Sequence, residues 1–155
     1  MLQVFDSSAS ELSPHDFIEF SLPNLVHIAK TVRSKLAEAG VEQVSMTLFA
    51  KGANASLASQ IDAGYDTLGL DWLIEPQVAR SIVGDKVALQ GNIDPNILYG
   101  GKEAIDRETK RMCRDFQVDG KTRGWIANLG HGITPEVDPE DLRCFLECVH
   151  KYSTS

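Results

Sequence analysis

Trp125-Ile126-Ala127-Asn128-Leu129-Gly130-His131-Gly132 (WIANLGHG) is the stretch that decides how the rest of the chain is interpreted. Its first three residues form a short apolar run typical of a buried β-strand, and the run leads into a histidine held between two glycines. Glycine lets the backbone bend sharply and approach a ligand closely, and histidine exchanges protons near neutral pH. Functional groups of parallel α/β proteins collect where strands end. We therefore expect His131 to belong to a functional site, the alternative being a hydrogen-bonded structural histidine.

The composition is that of one globular domain. The chain has 155 residues, of which 43% are hydrophobic and 24% charged, so it can bury a core and is not disordered. A net charge of -7, with no basic run, argues against a nucleic-acid partner. The first residues do not form a signal peptide, and no apolar run would span a bilayer, so we expect no membrane partner. Three cysteines without a Cys-x-x-Cys pair favour a reducing, cytoplasmic environment.

Strand-like and helix-like segments alternate along the chain, which predicts the α/β class. The strand candidates are Leu2–Phe5, Val44–Phe49, Thr67–Leu70, Val87–Leu89 and Trp125–Ala127. The helix candidates begin at Pro14 (capped by Ser13), after Pro23, near Leu57, after Pro76, at Asp94-Pro95 and at Asp138-Pro139. Short strands that are apolar throughout are typical of a parallel sheet. Two architectures fit, a doubly wound open sheet or part of a (β/α)8 barrel. The chain lacks the glycine-rich fingerprint that marks the nucleotide-binding form of the doubly wound sheet.

Two of the helices have apolar faces that we expect to turn inward. The inward residues are Ile105, Thr109, Met112 and Phe116 on one helix, and Leu142, Phe145, Leu146 and Val149 on the last. Cys144 and Cys148 share a face of that last helix. No neighbouring ligand pair completes a metal site there, so we expect them to pack and predict no metal.

Polar residues follow each of the strand candidates and are expected to lie together around one opening at the carboxyl ends of the strands. The clusters are Asp6-Ser7-Ser8, Lys51-Gly52, Asp71-Trp72, Gln90-Gly91-Asn92 and His131. Their mixture of groups suits a polar, anionic small molecule. Each cluster also has a structural interpretation: Asp6 and Ser7 as caps of the next segment, Asp71 as a cap or ion-pair partner, and 90–92 as a turn whose amides satisfy buried backbone groups. A Ser7–His131 triad is disfavoured because Ser7 lacks a nucleophile elbow.

Five segments, in the same order and at similar spacing, resemble the uroporphyrinogen decarboxylase family. They are Val4–Ser7 (VFDS), Leu48–Lys51 (LFAK), Gly69–Trp72 (GLDW), Leu89–Pro95 (LQGNIDP) and Ile126–Gly132 (IANLGHG). The resemblance covers essentially the whole chain. It implies a (β/α)8 barrel, typically a homodimer, that needs no metal or organic cofactor. That enzyme removes carbon dioxide from the four acetate side chains of uroporphyrinogen and gives coproporphyrinogen in haem synthesis.

The same resemblance implies which residues contact the substrate. Ser7 and His131 match substrate-contacting positions of the family, and Phe5 lines the cleft. Asp6 is a departure, since the family often has glutamate there. The family's central aspartate, substrate-binding arginines and cleft tyrosine belong to an N-terminal part that this chain lacks, so no catalytic residue is assigned and Asp71 is not promoted to replace the aspartate. Lys51 and Arg123 are the local basic groups expected to receive substrate carboxylates.

The resemblance therefore predicts a single partial domain, residues 1–155, that forms the C-terminal portion of a barrel, about five β/α units, with its N-terminal strands missing. Open edges on the outer strands are expected to make the chain pair with another copy or another chain. The alternative function is an inactive truncated remnant that binds porphyrinogen or pairs with the full-length enzyme. A corrinoid methyltransferase of the same superfamily is disfavoured because its His-x-Cys zinc ligands are absent. The plastid is the alternative compartment if a transit peptide was lost with the N-terminus.

Overall fold

A sheet of parallel strands forms the centre of the computed structural model, which describes residues 1–118, 120 and 123–153. The five strands are β1 (Leu2–Asp6), β2 (Met46–Ala50), β3 (Thr67–Gly69), β4 (Ala88–Ile93) and β5 (Trp125–Leu129), and they lie side by side in chain order. Every neighbouring pair is parallel. The predicted strands are thus confirmed, with shifts of one to four residues at their ends.

Helical segments connect the strands. The α-helices are α1 (Pro14–Asp16), α2 (Leu22–Glu38), α3 (Leu57–Gln60), α4 (Pro76–Val83), α5 (Gly101–Asp115) and α6 (Pro139–Ser153). A π-helical turn, Phe17–Ser21, joins α1 to α2, and 3-10 turns span Ala9–Glu11, Ala53–Ser56 and Pro95–Gly100. Two predicted caps are confirmed, since Ser13 Oγ accepts from the Asp16 N–H at 3.1 Å and Asp94 Oδ1 from the Asn96 N–H at 2.9 Å.

The strand order decides between the two predicted architectures. A doubly wound sheet reverses its order at the middle, whereas this sheet runs β1 to β5 without reversal. Right-handed crossovers between parallel strands taken in sequence place all the helices on one face of the sheet. The arrangement is that of consecutive β/α units of a barrel, and the doubly wound alternative is excluded.

The register gives the sheet two chemically different faces. Leu48, Leu68 and Leu89 lie side by side on the helix-covered face and are 0% exposed. The next layer belongs to the opposite face, which we call the open face: Phe5, Phe49, Gly69, Gln90 and Ile126 are aligned across all the strands. Phe5 is 64% exposed there, because β1 pairs only with β2 among the described residues. The open face thus carries side chains that the helices do not cover.

Two local predictions are wrong. The segment 90–92 is not a turn but the middle of β4, where it pairs with 126–128 of β5. Leu146 is 51% exposed rather than inward, because α6 turns Phe145 and Val149 toward the core and only one side of the helix is covered. The predicted inward face of α5, with Ile105, Thr109, Met112 and Phe116, is buried as expected.

Asp66 ties the amino-terminal ends of two strands to helix α2. Its Oδ2 accepts from the Met46 backbone N–H and from the Arg33 guanidinium, both at 2.8 Å, while Arg33 also donates to the carbonyl of Gly64. Burial alone would raise the pKa of the Asp66 carboxyl, but the hydrogen bonds from Met46 and Arg33 outweigh it, so the pKa lies below its ordinary value of 3.8. The fold therefore stabilises the ionised form of Asp66 relative to its protonated form.

We expect the stabilisation from Asp66 to be present above about pH 4 and to be lost as the pH falls through the folded-state pKa, since that pKa is depressed. Asp66→Asn should lower the free energy of unfolding at pH 7, and its difference from wild type should shrink at pH 3. Urea denaturation at both pH values measures this. Asp62→Asn, at an exposed position of the preceding turn, is the control and should change the free energy of unfolding at pH 7 by less than about 0.5 kcal/mol. A D66N deficit of equal size at both pH values would contradict the assignment.

Candidate active site

The open face holds a cavity of about 210 Å³ at the carboxyl ends of the strands. Its lining comes from all five strands and from the loops after β3 and β5: Gln3, Phe5, Phe49, Gly69, Leu70, Gln90, Asn128, Leu129, His131 and Gly132. Sites of parallel α/β folds occupy this edge, because every strand delivers its following loop there. The structure therefore brings two of the three predicted substrate-contacting residues, Phe5 and His131, into one cavity.

Three aromatic rings form a row across this cavity. The ring of Phe49 meets Phe5 edge-on, at 6.1 Å between centroids, and lies parallel to the His131 imidazole, at 6.3 Å and 22°. Phe49 is only 6% exposed, so it acts as a fixed support between two more accessible rings. The row presents an apolar, polarisable surface with one titratable member. Sequence reasoning did not single out Phe49, although its alternation with Thr47 along β2 places both on the open face.

The two glycines beside His131 have different roles. The backbone bends at Gly130 and His131, as expected, but neither glycine has a positive φ, so neither is required for a left-handed conformation. A Cβ on Gly130 would lie 2.8 Å from the backbone nitrogen of Trp72 and 3.1 Å from the carbonyl oxygen of Asn92. A Cβ on Gly132 would meet nothing within 4 Å. Gly130 therefore lets the His131 loop pack against its neighbours, while Gly132 leaves open space beside the cavity.

Asp71 has a structural role. It is 2% exposed, and its carboxylate accepts from the Gly52 N–H at 2.6 Å, the Asn54 amide at 2.7 Å and the Leu73 N–H at 2.9 Å. These bonds join the loop after β2 to the loop after β3. A carboxylate so fully engaged and buried away from the cavity lining is not available to a ligand, so Asp71 does not take the role of the family's aspartate.

The polar residues at the ends of β1 and β2, and just after them, lie at the same edge but outside the cavity lining. Asp6 accepts from the Ser21 hydroxyl at 2.6 Å, so its carboxylate holds the chain leading into α2 and caps no helix. Ser7 lies in an exposed turn directly after β1. The half-buried Lys51 donates its backbone N–H to the carbonyl of Asp6 at 3.1 Å. Of the predicted substrate-contacting residues, Ser7 is thus the one that would reach a ligand only if the ligand extended beyond the cavity.

Two amides of β4 behave differently. Asn92 donates to the carbonyls of Asp71 at 2.9 Å and Ile74 at 2.6 Å, as expected of an amide that satisfies buried backbone groups. Gln90 is 5% exposed and lines the cavity, yet its Oε1 has no hydrogen-bond partner among the described residues. The structural interpretation is therefore right for Asn92 and wrong for Gln90.

Other candidates lie away from the cavity. Arg123 lines a groove with Asp66 and Lys86 at the opposite, amino-terminal edge of the sheet, so the expectation that it receives a ligand at this site is wrong. All the cysteines are free thiols, and burial raises the pKa of Cys113 to about 11, which makes it a poor nucleophile. Within the described ranges, no three His, Cys, Asp or Glu side chains are grouped to hold a metal ion. Helices long and apolar enough to cross a membrane are likewise absent from those ranges.

Comparison with known proteins identifies relatives over the whole chain. The family model of uroporphyrinogen decarboxylase matches residues 1–152. The uroporphyrinogen decarboxylase of Schizosaccharomyces pombe is 49% identical over all of this chain and 43% of its own length. Those of Danio rerio and Homo sapiens are 47% and 45% identical over 98% of this chain and 40% of theirs. The chain therefore spans about two fifths of the length of these relatives.

A solved structure gives the same fold. A methyltransferase from Methanosarcina mazei superimposes on 97% of this chain with a TM-score of 0.77, at 20% identity and over 42% of its own chain. At this identity the likeness concerns the fold alone. Together with the strand order, it confirms the predicted class, a run of five β/α units from the C-terminal part of a (β/α)8 barrel.

We predict that Gly130→Ala lowers the free energy of unfolding by about 1–3 kcal/mol, because the new methyl group overpacks the contact with the loop after β3. Gly132→Ala is the matched control and should change it by less than about 0.5 kcal/mol, since its Cβ enters open space. Urea denaturation of the two variants measures the difference. Equal effects would show that Gly130 is not a packing residue.

Proposed function

The chain belongs to the uroporphyrinogen decarboxylase family, and from this premise we propose that it supplies one wall of a site that decarboxylates uroporphyrinogen to coproporphyrinogen. The observation that carries the proposal is the row formed by Phe5, Phe49 and His131 on the open face. Aromatic faces complement the apolar body of a tetrapyrrole, and an imidazole at the end of the row can contact the carboxylates at the edge of the tetrapyrrole.

The reaction sets clear demands on such a site. When an acetate next to a pyrrole loses carbon dioxide, its electron pair remains on the carbon, and prior protonation of the ring provides an electron sink. The site must stabilise the cationic ring and then deliver a proton to the new methyl group. It must also receive the substrate carboxylates, which the protein's overall charge of -7 opposes. Local cationic groups are therefore needed.

We assign roles to the residues at this edge accordingly. Phe5 and Phe49 contact the macrocycle, and His131 binds a substrate carboxylate or delivers a proton. Lys51, which has no ion-pair partner in the described part of the chain, attracts a carboxylate that extends over the edge of the cavity. The Ser7 hydroxyl, just after β1, donates a hydrogen bond to a substrate carboxylate at the same edge of the cavity. This chemistry, as proposed, requires no metal and no organic cofactor.

The cavity is too small to hold the substrate alone. Its volume of about 210 Å³ is below the roughly 300–1,000 Å³ of pockets that enclose drug-sized ligands. We propose that further residues, from the same polypeptide or from another chain, form the opposite wall. The exposed Phe5 and the outer edges of β1 and β5 are where such residues would add. Pairing with a second copy, as in a homodimer, is one way to supply them, and the free thiols favour a reducing compartment such as the cytoplasm.

One observation favours a second candidate function. Among the residues that the structure describes, those that line the cavity include neither aspartate nor glutamate, and the nearby Asp71 is fully engaged. A wall without a carboxylate cannot by itself stabilise a cationic pyrrole. The second candidate is therefore a binding remnant, which holds porphyrinogen or pairs with a full-length enzyme without turning the substrate over.

Anaerobic turnover of uroporphyrinogen III by the purified chain, with products separated by carboxylate number, tests the proposal. Products with seven to four carboxylates would establish decarboxylation by this chain. Their absence from folded protein that still binds uroporphyrinogen would establish the binding remnant. Neither turnover nor binding by folded protein would overturn both functions.

The role of His131 is tested in the same assay, or in the same titration if the chain only binds. We expect His131→Ala to lower turnover about 100-fold or to weaken binding about tenfold. His27→Ala, on the exposed side of α2, is the matched control and should change neither quantity. Wild-type turnover and affinity in H131A would contradict the assignment.

A further inference from the structure

Gln90 is the one residue of the cavity lining whose side chain is both buried and, at its oxygen, without a hydrogen-bond partner among the described residues. A buried amide that forms no hydrogen bond is unfavourable, since its desolvation is not compensated. Proteins keep such groups rarely, and a functional site is a common reason. Nothing in the family match assigns this residue a role.

The neighbours of Gln90 explain why its oxygen stays unpaired. Within the layer of the open face it lies between Gly69 on β3 and Ile126 on β5, and neither side chain can form a hydrogen bond. The same layer continues through Phe49 to Phe5, which are apolar. The amide is therefore the single polar side chain in an otherwise apolar layer, which we call the floor of the cavity and which also carries Phe5 and Phe49 of the aromatic row.

A second buried glutamine shows what a structural amide looks like in this protein. Gln60 is 3% exposed, and its Nε2 donates to the carbonyl of Ala53 at 3.0 Å, which holds the turn before α3. Both glutamines are buried to a similar degree, yet of their two side chains only that of Gln60 forms a hydrogen bond among the described residues. The difference indicates that the bond to be formed by Gln90 is with a ligand.

We infer that Gln90 is a ligand-binding residue whose carbonyl oxygen accepts a hydrogen bond from an N–H group of the bound molecule. An unpaired carbonyl oxygen needs a donor, and a pyrrole N–H is a donor without acceptor capacity. This inference rests on the proposed function, since it is a pyrrole of the tetrapyrrole that provides this N–H. The apolar floor then contacts the macrocycle, and the amide fixes its orientation.

The test combines two measurements on Gln90→Met, Gln90→Glu and the control Gln60→Met. Methionine removes the amide at nearly constant volume. In thermal melts without ligand, Q90M should raise the melting temperature by about 3 °C or more, because an unsatisfied buried group is removed. Q60M should lower it, because a formed hydrogen bond is lost. If Q90M lowers the melting temperature as Q60M does, Gln90 is structural and the inference is overturned.

Equilibrium dialysis of uroporphyrinogen under argon is the second measurement. Q90M should weaken binding about tenfold, whereas Q90E, which still presents an acceptor oxygen, should stay within about threefold of wild type. Equal losses in Q90M and Q90E, or none in Q90M, would overturn the assignment of an acceptor. If the wild-type chain binds no uroporphyrinogen, the proposed function fails, and the melts still decide whether Gln90 is an unsatisfied group or a structural one.

Discussion

The buried carboxylate of Asp71 is the interaction on which the functional edge of the sheet depends. Its oxygens hold the loop after β2 through Gly52 and Asn54, and its own backbone carbonyl accepts from the Asn92 amide of β4. Gly130 in turn packs against the backbone of Asp71 and Trp72. The loops after β2, β3 and β5 and the end of β4 are thereby connected through one residue, and the loop that carries His131 packs against it. This explains why a carboxylate so close to the cavity takes no part in its lining.

Most of the architecture could be predicted from the sequence, because its determinants are local. Ser13 before Pro14 and Asp94 before Pro95 start helices through their own side chains, and apolar spacing locates the inward face of α5. The sequence does not reveal the extension of β4 through Ile93, since Gln90-Gly91-Asn92 has the composition of a turn. Pairing with β5 overrides that composition, and such pairing depends on residues more than thirty positions away.

The site was predictable only in part, for a related reason. Strand ends and the histidine between glycines identify the correct edge, and Phe5 and His131 do line the cavity. The supporting ring of Phe49, the engagement of Asp71 and the location of Arg123 at the opposite edge depend on register and loop packing. Sequence spacing does not encode these features. The residue type alone therefore does not show that Arg123 lies away from the cavity or that the Asp6 carboxylate binds Ser21.

The unbroken strand order has a further consequence, for the dynamics of the protein. Every strand pairs only with its neighbours in sequence, so cooperativity passes from unit to unit as it does in a repeat protein. β3 is enclosed on both sides, while β1 and β5 each have one partner within the described residues. Amide hydrogens should therefore exchange most slowly in β3 and progressively faster outward. Phe5 lies on β1 and His131 follows β5, so both lie at the outer, faster-exchanging strands. A ligand that contacts both residues would therefore slow amide exchange in two strands that do not pair with each other.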